Sequence, residues 1–132
     1  FEYGKMDIIR DGSHGAIITY GAMVQKAIQI RERLLKMGKT LMVINMACVD
    51  EMDEEVMKKV LITPVIVTYE DHNIRTGIAP IVALYLTKNK YNGRFESFGV
   101  KGYGVSGDAE EAYQFEGLDV ETIYEKIIEL LN

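Results

Sequence analysis

Short apolar runs rich in β-branched residues alternate with stretches of helical period along this 132-residue chain. Four of the runs have the length and composition of strands: AIITYG, LMVINM, PVIVTYE and RFESFGV. LMVINM is nearly all apolar, which is typical of a strand covered on both faces of a parallel sheet. Strands that take turns with helices restrict the chain to folds built from crossover units.

The stretches between and after these runs predict helices, because their apolar residues recur on one helical face. The predicted helices cover Ala22–Met37, Asp50–Val60, Ile78–Thr87 and Val120–Leu131. In the first helix the residues expected to face the core are Val24, Ala27, Ile28, Leu34 and Leu35. In the second helix they are Val56, Met57 and Val60, with acidic residues early and basic residues late, as the helix dipole favours.

This order predicts an α/β fold, in which right-handed crossovers place a mostly parallel sheet between two helical layers. A length of 132 residues without a long linker predicts one domain covering residues 1–132, with residues 1–14 as a segment that leads into it. Phe1 stands where a natural start has Met, so the sequence is expected to be a fragment.

Composition sets several function classes aside. The net charge is −5 and the basic residues are scattered, so we predict no nucleic-acid partner. No apolar run approaches the roughly 18 residues that a membrane span needs, so we predict no membrane partner. Cys48 is the single cysteine, which favours a reducing cytoplasm and a buried, unreactive thiol. His14 and His72 are isolated in the sequence, so no metal site is predicted.

The stretch GYGVSG at 102–107 fits the G-x-G-x-x-G fingerprint of dinucleotide-binding proteins. That site also needs a helix start with free amides and a second strand with an acidic residue about 20 positions later. The second strand is missing, and Asp108 and Glu111 have the spacing of a capping box that would occupy the amides. We therefore interpret the stretch as a glycine-rich turn.

A second polar stretch, EDHNIRTG, follows the third strand, where ligands often bind in open α/β sheets. Glu70 and His72 could act as an acid and base pair, with Asp71 and Arg75 as further ligand or interface candidates. In the simpler interpretation, Glu70 or Asp71 caps the next helix or pairs with Arg75, and His72 packs in the loop. We favour the simpler interpretation, and no residue is predicted to be catalytic, cofactor-binding or metal-binding.

Five stretches in this order resemble the C-terminal domain of transketolases and related thiamine-diphosphate enzymes. They are FEYGK, IIRDGSHGAIITYGAMVQKAI, LMVINMACVDEMDEE, VIVTYEDHNIRTGIAPIVALYL and GVSGDAEEAYQFEGLDVETIYEKI. The resemblance implies a three-layer αβα sandwich around a five-stranded, mainly parallel sheet in which one edge strand can be antiparallel. Two departures from the family pattern stand out: Asp50-Glu51 replaces Lys-Pro, and Thr76-Gly77 lies where the family has paired glycines.

The family resemblance also implies a function. The parent enzyme would transfer a two-carbon ketol unit between sugar phosphates, using thiamine diphosphate and magnesium held by other domains. This chain lacks the family's Gly-Asp-Gly and Asn-Asn cofactor motif, so we expect it to bind no cofactor alone. Its expected role is packing against the thiamine-binding domains or subunit and supporting a homodimer.

Three alternatives stay open at this point. Two lie within the superfamily: a deoxyxylulose-phosphate synthase, or the β-subunit of a 2-oxo acid dehydrogenase. The third belongs to another class, a stand-alone small-molecule-binding module that uses the loop from Glu70 to Gly77.

Overall fold

The computed structural model describes residues 6–47, 52–101 and 117–132. The strands are β1 (Asp7–Arg10), β2 (Gly15–Thr19), β3 (Leu41–Asn45), β4 (Val65–Asn73) and β5 (Arg94–Val100). The helices are α1 (Met23–Leu35), α2 (Glu54–Leu61), α3 (Ile78–Lys88) and α4 (Val120–Leu131). All four predicted strands and all four predicted helices are present, which confirms the α/β class.

The sheet has five strands in the order β1-β3-β2-β4-β5. Strands β2 to β5 pair in parallel, whereas β1 pairs with β3 in the antiparallel direction. The antiparallel edge strand implied by the family resemblance is therefore confirmed, and it falls inside residues 1–14. Its sequence, DIIR, gave no strand signal of its own because the run is short and only half-buried.

The sheet separates two apolar clusters, one under each pair of helices. Side chains alternate along each strand, so Ile17 lies in the cluster under α1 and α4 while Ile18 lies in the cluster under α2 and α3. Every residue of β2 is buried, as expected for the middle strand of a sheet covered on both faces. These clusters confirm the three-layer αβα sandwich.

The buried face of α1 is rotated from the predicted one. Ala27 and Leu34 are buried as predicted, but the other two buried residues are Met23 and Ile30. Together they form a stripe with steps of three or four residues, which is the helical period. Leu35 lies one residue beyond the stripe and is 43% exposed, so its assignment to the core was wrong.

Helix α2 begins at Glu54, later than the predicted start at Asp50. Asp53 is the N-cap: its side chain accepts hydrogen bonds from the backbone N–H groups of Glu55 at 3.1 Å and Val56 at 3.4 Å. It also accepts from the N–H of Met6 at 3.2 Å, which ties the residue before β1 to this helix. Asp53, the third carboxylate of the acidic run, therefore decides where the helix starts.

Several sequence predictions fall on residues outside the described ranges. They are the glycine-rich stretch 102–107, the proposed capping box of Asp108 and Glu111, Cys48, and the family departure at Asp50-Glu51. Among the described residues, none of the helices is long and apolar enough to cross a bilayer.

Replacing Asp53 with alanine is expected to lower the free energy of unfolding by about 1–2 kcal/mol, because the cap and the bond to Met6 are lost together. Urea denaturation would measure the change, with Glu129→Ala on the exposed side of α4 as the control. A loss for Asp53→Ala no greater than for the control would contradict the capping role.

Candidate functional site

The candidate site lies at the carboxyl ends of β2 and β4. These two strands are neighbours, yet the chain runs from β2 to β3 on one side and from β4 to β5 on the other. This is the topological switch point of an open α/β sheet, where ligands commonly bind. Tyr20 follows β2 there, and Glu70 to Asn73 form the last part of β4.

Glu70 is completely buried at this point, and its carboxylate is fully engaged. Oε1 accepts hydrogen bonds from the backbone N–H of Ile78 at 3.0 Å and from the hydroxyl of Tyr20 at 3.1 Å. Oε2 accepts from the backbone N–H of Ala79 at 3.2 Å. A carboxylate at a helix N-terminus satisfies free amides and matches the positive end of the dipole, so Glu70 caps α3 from outside the helix.

The close approach of Glu70 explains the glycine that precedes α3. A Cβ atom built on Gly77 would lie 1.9 Å from Oε1 of Glu70, which is far inside van der Waals contact. Any larger residue at position 77 must displace the carboxylate. One glycine here therefore has a packing role, even though the family pattern has a pair.

Tyr20 connects the loop after β2 to this cap. Burial and then the neighbouring charge of Glu70 raise the pKa of the Tyr20 phenol, and their hydrogen bond adds to the shift. The phenol therefore stays protonated and acts as a donor to the carboxylate. This contact joins two strand ends across the switch point, where a ligand would otherwise approach.

The remaining candidates lie outside this buried group. Asp71, His72 and Arg75 are exposed. The ring Nε2 of His72 lies 3.1 Å from the hydroxyl of Thr76, and the backbone N–H of Arg75 donates to the side chain of Asn73 at 2.8 Å. Glu70 and His72 therefore form their hydrogen bonds with different partners. The Glu70 carboxylate faces α3, whereas the sequence had also allowed an ion pair of Glu70 with Arg75.

The sequence identified Glu70 as a candidate. It did not reveal that Tyr20 is the partner of Glu70 or that the Glu70 carboxylate requires a glycine at position 77. A usable signal was present, because an acid that directly ends an all-apolar strand is expected to be buried and therefore to need several donors. The sequence cannot name those donors, since Tyr20 is 50 residues away from Glu70 along the chain.

No metal-binding group marks this site in the part of the chain that is described. Within residues 6–47, 52–101 and 117–132, no group of three or more His, Cys, Asp or Glu side chains is placed to hold a metal ion. Three cavities of about 180 to 290 Å³ are lined by residues other than Tyr20 and Glu70. The hydrogen bonds of Glu70 thus hold the start of α3 against the ends of β2 and β4.

Residues 4–123 match the model of the family described as "Transketolase, C-terminal domain". A transketolase C-terminal section of Methanocaldococcus jannaschii is 35% identical over 130 residues, which are 98% of this chain and 40% of that protein. A 1-deoxy-D-xylulose-5-phosphate synthase of Clostridium acetobutylicum is 30% identical over 130 residues, covering 97% of this chain and 21% of that protein. The chain therefore spans less than half the length of these relatives.

Solved structures share the fold at lower identity. A split gene transketolase, described as an inactive beta4 tetramer, aligns with a TM-score of 0.89 and 23% identity over 99% of this chain and 43% of its own. A transketolase from Campylobacter jejuni aligns with a TM-score of 0.72 and 15% identity over 96% of this chain and 18% of its own. At these identities the likeness is one of fold.

Replacing Glu70 with glutamine is expected to cost about 1–3 kcal/mol of unfolding free energy, because a buried amide group then faces a backbone donor. Tyr20→Phe should cost less, about 1 kcal/mol, since it removes a single hydrogen bond. Urea denaturation would measure both. Glu96→Gln, the same change at an exposed position of β5, is the control and should have little effect. Equal stabilities for Glu70→Gln and Glu96→Gln would refute the buried cap.

Proposed function

Because this chain belongs to the transketolase C-terminal domain family, we propose that it is the C-terminal domain or C-terminal subunit of a thiamine-diphosphate enzyme. The reaction proposed for that enzyme is transfer of a two-carbon ketol unit from a ketose phosphate to an aldose phosphate. One observation carries the proposal, the family match over residues 4–123, which covers nearly the whole chain. Thiamine diphosphate and magnesium would be held by the other domains or by a second subunit.

Within that enzyme, the chain would act by packing and assembly. Support for this role comes from the switch point, where ligands of open α/β sheets usually bind. There the Glu70 carboxylate accepts hydrogen bonds from two backbone amides and from Tyr20, and these bonds hold α3. A domain whose best-placed acid stabilises its own fold is better suited to support than to acid-base chemistry. We further propose a homodimeric parent enzyme in the cytoplasm.

A second candidate reaction is favoured by a specific finding. The 1-deoxy-D-xylulose-5-phosphate synthase of Clostridium acetobutylicum matches 97% of this chain at 30% identity. The parent enzyme could therefore be a synthase of that kind. Both candidates use this domain in the same supporting role, so the tests of assembly below apply to either, and assays with the two sets of substrates distinguish them.

Titration calorimetry of thiamine diphosphate with Mg²⁺ tests the division of labour. We expect no binding to this chain alone and saturable binding once the chain is joined to, or mixed with, its thiamine-binding portion. Tight binding to the chain alone would contradict the supporting role. Absence of binding in both samples would contradict the assignment to a thiamine enzyme and would favour a stand-alone binding module.

The stretch from Asp71 to Arg75, at the end of β4 and just after it, is the proposed partner contact. Asp71, His72 and Arg75 are all exposed beside the buried cap of Glu70, so they present two charged groups and an imidazole from a fixed base. Replacing these three with alanine is expected to weaken assembly with the thiamine-binding portion about three- to tenfold, because charged interface groups contribute modestly unless they are fully buried. Glu70 is left unchanged, since its loss would destabilise the fold.

Analytical ultracentrifugation of the reconstituted enzyme would measure that assembly, with parent activity as a second readout. The matched control replaces Glu125, Lys126 and Glu129 with alanine, three exposed charged residues of α4 in the opposite helical layer. Unchanged assembly and activity in the loop variant would remove the loop from the interface.

A further inference from the structure

A cavity of about 240 Å³ opens at the amino edge of the sheet, at the opposite end of the strands from Glu70. Residues just before β2 and β3 and at the starts of β4 and β5 form part of its lining, together with the end of α4. The lining residues are His14, Lys39, Pro64, Val65, Arg94, Leu130, Leu131 and Asn132. Its walls thus combine an apolar floor with a few polar groups, which is the usual composition of a small-molecule site.

The charge of this lining is opposite to that of the whole chain. The chain carries 20 acidic residues against 15 Lys and Arg. The cavity is nevertheless lined by the cations of Lys39 and Arg94 and by the ring of His14, and no Asp or Glu is among its described lining residues. A pocket with cationic walls inside an acidic protein attracts anions in preference to its surroundings.

His14 contributes a donor because of its hydrogen bond to Thr40. The ring Nδ1 accepts the backbone N–H of Thr40 at 3.0 Å. An Nδ1 that accepts has no hydrogen of its own, so the ring hydrogen lies on Nε2. The nitrogen left over, Nε2, is therefore an N–H donor, and the ring is held in place by Thr40, the residue before β3.

Arg94 and Lys39 add the positive charge. One nitrogen of the Arg94 guanidinium donates to the carbonyl of Leu130 at 2.9 Å, which fixes the group while its other N–H donors stay available. The Lys39 ammonium has no hydrogen bond or ion pair to any other described residue. A fixed guanidinium beside a lysine is an arrangement that suits the oxygens of a phosphate.

The preference for positive charge near the C-terminal end of a helix explains only part of the grouping of His14, Lys39 and Arg94. Cations are favoured near the carbonyls that end a helix, and the bond of Arg94 to Leu130 serves α4 in that way. At the end of α1, however, the carbonyls of Leu34 and Leu35 already accept backbone N–H groups from Met37, Gly38 and Lys39. The helix end therefore does not account for the Lys39 ammonium or for Nε2 of His14.

We propose that this cavity binds a small phosphate-type oxyanion through Lys39, Arg94 and His14. The volume of about 240 Å³ admits a phosphate with a short carbon chain, whose apolar part would lie against Pro64, Val65 and Leu131. The site is separate from the switch point and from the loop after β4. It does not depend on the proposed function, so either can fail without the other.

Titration with inorganic phosphate, followed by amide NMR shifts at constant ionic strength, tests the site. We expect saturable shifts centred on His14, Lys39 and Arg94. Lys39→Gln should raise the dissociation constant for phosphate about tenfold, since a charged hydrogen bond is removed. Lys58→Gln makes the same charge change on the exposed face of α2 and should alter binding less than about twofold, because Lys58 does not line the cavity.

A second variant guards against loss of fold. Arg94→Lys keeps the positive charge but loses the planar fork, so it should still weaken phosphate binding while the spectrum stays that of a folded chain. Shifts that do not saturate would mean an adventitious ion only and would overturn the proposal. An equal loss of phosphate affinity in Lys39→Gln and Lys58→Gln would mean the same. Tighter binding of glycerol 3-phosphate than of inorganic phosphate would assign the site to a phosphate ester, and equal binding to free phosphate.

Discussion

The buried carboxylate of Glu70 joins three elements that the chain supplies from distant positions. It ends the buried part of β4, it receives the first amides of α3, and it accepts the phenol of Tyr20 from the loop after β2. An acid in a dry interior is costly unless several donors surround it, and here those donors are backbone and phenol groups held by the fold. The attachment of the α3 N-terminus to the sheet and the need for glycine at position 77 both involve this one group.

The same principle, a polar group satisfied by a fixed partner, recurs across the sheet. Thr19 donates its hydroxyl hydrogen to the carbonyl of Tyr69 at 2.6 Å, joining β2 to β4 beside the switch point. The hydroxyl of Tyr69 in turn donates to the carbonyl of Leu118, just before α4. Through these contacts the carboxyl edge of the sheet is linked to both helical layers. Such linkage favours a rigid carboxyl edge.

The two edges of the sheet therefore differ in chemistry. At the carboxyl edge the acid Glu70 is buried and hydrogen-bonded, and Asp71 and Arg75 are exposed nearby. At the amino edge the basic side chains line a cavity and retain donors. In a parallel sheet every crossover leaves the carboxyl edge and returns to the amino edge. The loops at the two edges are therefore formed by different parts of the sequence. The partner contact and the anion site that we propose therefore lie at opposite ends of the strands.

Local pattern was sufficient to predict the α/β class, the four parallel strands and the four helices, because periodicity depends on each residue's own neighbourhood. Glu70 was also recognisable, since an acid at the end of an apolar strand needs donors. The antiparallel strand DIIR, the true buried stripe of α1 and the start of α2 at Asp53 required the folded chain. Each of these features depends on which residues meet across the sheet. Likewise, Tyr20 and Glu70 are 50 positions apart in the sequence, and no local pattern indicates that their side chains form a hydrogen bond. Burial, capping and the grouping of His14, Lys39 and Arg94 are properties of tertiary contacts, so only the packed structure assigns them.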